Sequence, residues 1–231
     1  MRLQKYLAMC GVASRRRSEE YIKEERVYVN SQLITEMGFK VEETDEVRVD
    51  GKLVTFESKK LLLFNKPKGV ITTLKDPQGR RDIQDYLKNY NERFFPIGRL
   101  DADTTGLLLL TTDGDLAQYL AHPSFKIIKE YNALLDGVCT NSVINKLKKG
   151  IELEDGLVQA DVKIIKKSDR KTEVIVKIHI GRKRIVRRMF KELGLPVLEL
   201  KRLKHGPFSL DELRVGQIIE VDYSKLTNLR S

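Results

Sequence analysis

Cysteine is scarce in this chain: Cys10 and Cys139 are the two in 231 residues. Two thiols so far apart supply neither a disulfide framework nor a four-ligand zinc cage. They read as small buried hydrophobes in a reducing cytoplasm. Long apolar runs are missing too. The stretches Leu61–Phe64 and Leu107–Leu110 span four residues each, against roughly twenty needed to cross a bilayer. Met1-Arg2-Leu3-Gln4-Lys5 leads into alternating polar and apolar residues, which predicts no signal peptide. His122, His179 and His205 lack any metal-like spacing. Glycine loops of the P-loop or dinucleotide type are absent as well. The expectation is therefore no metal, no nucleotide or redox cofactor and no membrane partner. No internal repeat or low-complexity tract occurs.

What the chain has in excess is positive charge. Its 43 Lys and Arg against 33 Asp and Glu leave a net +10, which points to a polyanionic partner. With 41% hydrophobic residues it is otherwise an ordinary globular composition. Residues 1–58 hold ten basic and eleven acidic side chains, residues 59–231 thirty-three and twenty-two. Yet the first eighteen residues carry Arg2, Lys5, Arg15, Arg16 and Arg17 with no acid. Arg182-Lys183-Arg184 with Arg187, Arg188 and Lys191 forms a second cluster, and Lys201-Arg202 with Lys204 a third. One such run is ordinarily a solvated face; three shift the reading toward nucleic acid.

Leu3, Tyr6 and Leu7 repeat at helical spacing, and Gly11 ends that helix. Ser14 is placed to cap a second helix from about Arg15 to Glu25, with Tyr21 and Ile22 on its buried face. Arg15, Arg16 and Arg17 then sit in its first turn, where the macrodipole disfavours cations and a bound phosphate would reverse the penalty. Val27–Val29, a turn at Asn30-Ser31, Val47–Val49 and the turn Asp50-Gly51 complete a small unit. The stretch from Leu3 to Ile34 resembles the α-L RNA-binding domain of the ribosomal-protein S-four type. Its marks are the Leu3/Leu7 helix, Ala13-Ser14-Arg15-Arg16 and Val27-x-Val29-Asn30. The resemblance implies a helix pair whose basic face meets structured RNA.

Phe56–Lys60 reads as a linker. Beyond it, strands are expected at Leu61–Asn65, Val70–Thr72, Gly106–Thr112, Tyr131–Leu135, Asp161–Lys166, Glu173–Ile180, Val197–Arg202 and Gln217–Val221. Helices are expected at about Asp115–Ala121, Asn141–Lys149 and Ile185–Leu193. Many strands with few interleaved helices indicate an α+β domain with a mixed, largely antiparallel central sheet. The divisions drawn are 1–58 and 61–231.

The densest candidate for chemistry is Gly98-Arg99-Leu100-Asp101-Ala102-Asp103-Thr104-Thr105-Gly106, a polar loop feeding the apolar run Leu107–Leu110. Such a loop can hold a carboxylate beside a cleft. From physics alone both Asp101 and Asp103 read as turn or capping residues. The run as a whole, however, resembles the catalytic motif of the RsuA/RluB-type ribosomal RNA pseudouridine synthases. Asn65-Lys66-Pro67-Lys68-Gly69, His122-Pro123-Ser124 with Lys129-Glu130-Tyr131, Gly181–Phe190 and Lys201–Phe208 match further family stretches in the same order.

The resemblance implies that Asp101 acts at the ribose–uracil bond of a uridine. Tyr131 would stack on the base, and Arg187 would pair with Asp101. Arg99 would enter the space left by the flipped nucleotide. Lys129, Arg182, Lys183, Arg184 and Arg188 would contact the RNA, together with Arg15, Arg16 and Arg17. Asp103 stays a turn residue. Ile180 and Ile185 stand where the family commonly has Glu and Gln. The implied partner is ribosomal RNA, free or in a subunit assembly intermediate. The Gly11-x-x-Ser14-Arg15-Arg16 entry and the Asp76-Pro77-x-Gly79-Arg80 loop resemble the RluB type more closely, which implies the large-subunit (23S) RNA; a small-subunit (16S) target and a non-catalytic assembly module are the alternatives.

Overall fold

Leu3, Tyr6 and Leu7 fall on the buried side of helix α1 (Leu3–Met9). Gly11, at φ +76, reverses the chain after it. The computed structural model describes residues 1–42, 44–55, 59–74 and 76–230. Ser14 caps α2 (Arg15–Lys23): its hydroxyl accepts from the Arg17 amide at 3.1 Å, which satisfies one otherwise orphaned donor. Strands β1 (Val27–Val29), β2 (Gln32–Leu33), β3 (Val47–Val49) and β4 (Lys52–Leu53) form an antiparallel sheet in the order β2-β1-β3-β4. The turns Asn30-Ser31 and Asp50-Gly51 have positive φ at all four positions, as two-residue hairpin turns of matching twist require. Val27, Val29, Val47 and Val49 then face Leu3, Leu7 and Ile22 in one core. The expected linker falls mostly on residues 56–58, outside the described residues.

The second part contains β5 (Leu61–Lys66), β6 (Phe95–Pro96), β7 (Thr105–Thr111), α3 (Gly114–Ala121), β8 (Lys129–Asp136) and α4 (Asn141–Lys149). It continues through β9 (Ile151–Leu153), β10 (Gly156–Val158), β11 (Asp161–Lys167), β12 (Lys171–Ile178), α5 (Ile185–Glu192), β13 (Val197–His205), β14 (Phe208–Ser209) and β15 (Ile218–Val221). The main sheet runs β11-β12-β8-β13-β7-β5-β15, with β14 on β13 and β6 on β7. Its one parallel pairing joins β13 to β7; the others are antiparallel. This is the α+β, largely antiparallel architecture expected from the sequence. The apolar runs have a direct cause. Leu61, Leu63, Leu107 and Leu109 enter one core, while Leu62, Phe64, Leu108 and Leu110 enter another on the opposite face. Strands buried on both faces need continuous rather than alternating hydrophobicity. The two parts touch through Lys5 of α1 and Asp115 of α3, 2.9 Å apart.

Two expectations need correction. Val70–Thr72 is not a strand; its ladder is the isolated bridge between Ile71 and Asp82. The Val70 carbonyl accepts from the Lys66 ammonium at 2.8 Å, and the Thr72 hydroxyl donates to the Leu100 carbonyl at 2.8 Å, so side-chain bonds shape this segment. Strand β12 also ends at Ile178, leaving His179 and Ile180 outside it. The β9–β10 hairpin is an addition to the sequence reading. Both cysteines are buried free thiols. Among the described residues no helix is long and apolar enough to cross a membrane.

At the parallel junction the backbones nearly touch. Gly106 has φ +96, and a Cβ built there would lie 2.3 Å from the Arg202 carbonyl oxygen. Gly106→Ala is expected to destabilise the protein by about 2 kcal/mol or more, through strain and forced separation of β7 from β13. Gly181→Ala, with nothing within 4 Å of the added carbon, is expected to stay within about 0.5 kcal/mol. Urea unfolding of both variants checks this, and equal midpoints would contradict the close approach.

Candidate active site

Asp101 sits in the loop that delivers the chain into β7, and bonds on both sides hold that loop. The Leu100 amide donates to the Thr72 hydroxyl at 3.2 Å, the Gly69 amide to the Ala102 carbonyl at 2.7 Å, and the Thr104 amide to the Asp101 carbonyl at 3.0 Å. Behind these lies Lys66, fully buried, whose ammonium donates to the Pro67 and Val70 carbonyls at 2.9 and 2.8 Å. Burial pushes its pKa down to about 8, against the opposing pull of Asp103 and Asp101. The lysine shapes the turn, the turn presents Gly69, and Gly69 fixes the loop. No local sequence signal gives that role to Lys66, because it needs the turn folded back over the strand.

A cavity of about 400 Å³ opens beside Asp101. Of the residues nominated from sequence, Arg99, Asp101, Lys129, Tyr131, Arg182, Lys183 and Arg184 line it. Asp101 and Tyr131 are half-buried, and Arg99, Lys183 and Arg184 are exposed. Lys129 is buried; its ammonium donates to the Ile127 and His179 carbonyls at 3.2 and 3.1 Å. Burial, reinforced by the nearby Arg202 charge, brings its pKa to about 8. Ile180 and Ile185 form an apolar part of the wall where the family pattern has hydrogen-bonding side chains.

The partner expected for Arg187 is corrected. Its guanidinium meets Asp103, at 3.3 Å to the carboxylate and 3.1 Å to the carbonyl, and also donates to the Val197 carbonyl at 2.8 Å. The first turn of α5 brings it to the back of the loop, where Asp103 is the nearer carboxylate. Burial lowers its pKa, with Asp103 and, more weakly, Asp101 opposing. Asp103 is consequently more than a turn residue. Both of its oxygens accept from Arg184 at 3.0 Å, and this pairing holds the carboxyl below the usual range.

The nominated RNA-contacting arginines are likewise engaged. Arg188 holds Asp155 with two bonds of 3.0 and 2.7 Å, and Arg182 reaches the Gly156 carbonyl at 3.0 Å and Asp155 at 3.4 Å. Asp155 belongs to the β9–β10 turn, which the sequence reading passed over although Asp-Gly is a turn signal. These pairs are exposed and screened by water, so a competing anion meets little resistance there. Arg188 and Arg187 do not line the cavity. On α2, Arg17 is tied to Glu20 and Glu24, whereas Arg15 and Arg16 are exposed and form no ion pair among the described residues. Three residues that sequence reasoning left without a role in the site are Lys66, Arg202 and His205, all buried.

The RNA pseudouridylate synthase family model matches residues 60–192, and the S4 domain model matches residues 1–47. The chain belongs to the RNA pseudouridylate synthase family. This synthase is 42% identical over 100% of its length to 96% of "Ribosomal large subunit pseudouridine synthase B" of Bacillus subtilis. It is 39% identical, over 97% of its length, to 60% of the protein of the same name from Pseudomonas aeruginosa. A solved structure described as a pseudouridylate synthase superposes with TM-score 0.70 at 28% identity, covering 99% of both chains.

The depressed lysines make stability pH-dependent. Lys66 and Lys129 lose their protons near pH 8 when folded and near 10.4 when unfolded. Between those values the unfolded chain binds more protons, so stability rises with pH by up to about 1.4 kcal/mol per unit for each group. Lys129→Met is expected to flatten this rise between pH 8 and 9.5, read from urea midpoints. Identical slopes in variant and parent would contradict the assignment.

Proposed function

We propose that this synthase isomerises one uridine of large-subunit ribosomal RNA to pseudouridine in the cytoplasm, with Asp101 as the nucleophile. The observation that carries the reading is the setting of Asp101, a carboxylate on a pinned loop beside a cavity that Tyr131 also lines. A carboxylate so held can attack the ribose carbon of a glycosidic bond. As the bond to Asp101 forms, the C1′–N1 bond breaks and uracil leaves with the electron pair. The ring turns, C5 bonds to C1′ as Asp101 departs, and the C5 proton is lost while N1 gains one. No net electrons enter or leave, so the reaction has no need of a redox cofactor.

Tyr131 would stack on the ring, and Arg99, exposed at the cavity, would fill the place of the flipped nucleotide. Residues 1–58 would grip structured RNA, with Arg15 and Arg16 meeting phosphates, while residues 61–231 carry the chemistry. Arg182, Lys183, Arg184 and Arg188 would add phosphate contacts along the cavity side. The large-subunit target is supported by the names of the Bacillus and Pseudomonas relatives. The substrate would be free RNA or a subunit assembly intermediate.

Asp101→Asn is nearly isosteric, so the variant should fold, bind RNA and lose activity by a factor on the order of 10⁴. Asp103→Asn should cost about tenfold, roughly 1.4 kcal/mol of barrier, by loosening Arg184 and Arg187. Chemical pseudouridine mapping of ribosomal RNA from cells carrying each variant reads both. Activity of Asp101→Asn above a per cent of the parent would overturn the nucleophile, and loss of a small-subunit modification instead would overturn the target. Exhaustive chelation should leave the purified synthase fully active on an RNA fragment whose folding is checked separately. Activity lost on chelation and restored by one divalent ion would reject a carboxylate mechanism without metal.

A further inference from the structure

Strands β8 and β13 pair with Arg202 opposite Tyr131 and His205 opposite Lys129. Residues opposite one another in a ladder point to the same face. Strict alternation along β13 would send His205 away from Arg202's side, but the bulge between Arg202 and Lys204 returns it. All four side chains line the cavity beside Asp101. Three of them are almost fully enclosed: Arg202 is 2% exposed, Lys129 6% and His205 1%.

This floor has donors without acceptors. Arg202 donates from Nε to the Leu107 carbonyl at 2.7 Å, yet its Nη2 has no hydrogen-bond partner. Lys129 uses two donors on carbonyls and retains a third. Neither forms an ion pair among the described residues. The His205 ring meets the Leu120 carbonyl through Nε2 at 2.9 Å, so that nitrogen carries the proton and the unpartnered Nδ1 offers a lone pair. Burial, then the neighbouring Arg202 and Lys129 charges, keep this imidazole neutral. A buried guanidinium with an idle donor is costly unless something supplies the missing acceptor.

We propose that Arg202, assisted by Lys129, reads the carbonyl edge of the target base and so selects uracil over cytosine. The inference rests on the uridine-isomerising reading above. Uracil presents acceptor, donor, acceptor at O2, N3–H and O4; cytosine places an amino donor where uracil has O4. The reaction adds a second reason. Exchanging N1 for C5 at the ribose carbon is a half turn of the ring about its N3–C6 axis, and that turn also exchanges O2 with O4. Donors aimed at carbonyl oxygens are therefore satisfied before and after rotation by uracil, whereas cytosine would turn its amino group into one of them. A site built to bond a polar group discriminates strongly against an analogue that lacks it.

The test uses the full chain and an RNA fragment containing the target uridine, alongside the same fragment with cytidine, which carries an amino group in place of O4, at that position. Single-turnover rates on both give a discrimination ratio. The wild-type protein is expected to favour uridine by about a hundredfold. Arg202→Met should slow uridine conversion and collapse the ratio to within a few-fold of unity, and Arg202→Lys should recover part of both. If Arg202→Met does not fold, as judged by circular dichroism, a reduced ratio in Arg202→Lys carries the test. An unchanged ratio in a folded variant would mean that Arg202 only straps β13 to β7, and would overturn the proposal. Wild-type protein that makes no pseudouridine in any ribosomal fragment would reject the isomerase reading itself, and this inference with it.

Discussion

The contact between Gly106 and Arg202, where β7 and β13 run parallel, is the constraint on which the site depends. Because Gly106 has no side chain, the two backbones can approach until a Cβ would collide with the Arg202 carbonyl. That approach lets the Arg202 Nε reach Leu107. It also sets Tyr131, directly across from Arg202 on β8, beside the loop that precedes β7. The loop with Asp101, the Tyr131 ring and the Arg202 guanidinium thus meet through one short stretch of parallel pairing. A bulky residue at 106 would separate them together.

Charge is organised in two regimes around that junction. Inside, Lys66, Lys129 and Arg202 are buried, and their side chains donate to the backbone carbonyls of Pro67 and Val70, of Ile127 and His179, and of Leu107. These bonds fix backbone geometry, and they resist exchange because an uncompensated buried cation is costly. Outside, Arg182, Arg184 and Arg188 are held by Asp103 and Asp155 in pairs that water already screens. Such pairs keep guanidinium groups extended near the cavity while leaving them free to change partners. On the proposed function, a polyanion arriving there would exchange one carboxylate for one phosphate rather than order loose side chains.

Local features were legible in the sequence, and long-range ones were not. The Ser14 cap, the turns at Asn30-Ser31 and Asp50-Gly51, and the doubly buried Leu107–Leu110 strand each depend on neighbours a few residues away. The motif around Asp101 was found by resemblance, since composition and spacing leave it indistinguishable from an ordinary turn. Arg187 shows the limit. Resemblance put it beside the loop, but which carboxylate it meets depends on how α5 docks, and the answer is Asp103. Val70–Thr72 has strand-like residues, yet its hydrogen bonds are set by Lys66 and Leu100, which no local pattern reveals.

The two isoleucines in the third motif bear on how rigidity is supplied. Ile185 is buried and Ile180 half-buried, and both line the cavity, so neither can hydrogen-bond to the Asp101 loop. The loop is held instead from its other side, by the Thr72 hydroxyl and by the turn that Lys66 stabilises. Asp103 adds a third anchor by tying the loop to α5 through Arg184 and Arg187. The wall that the two isoleucines form offers the loop no side-chain hydrogen bond, so these three anchors carry its position.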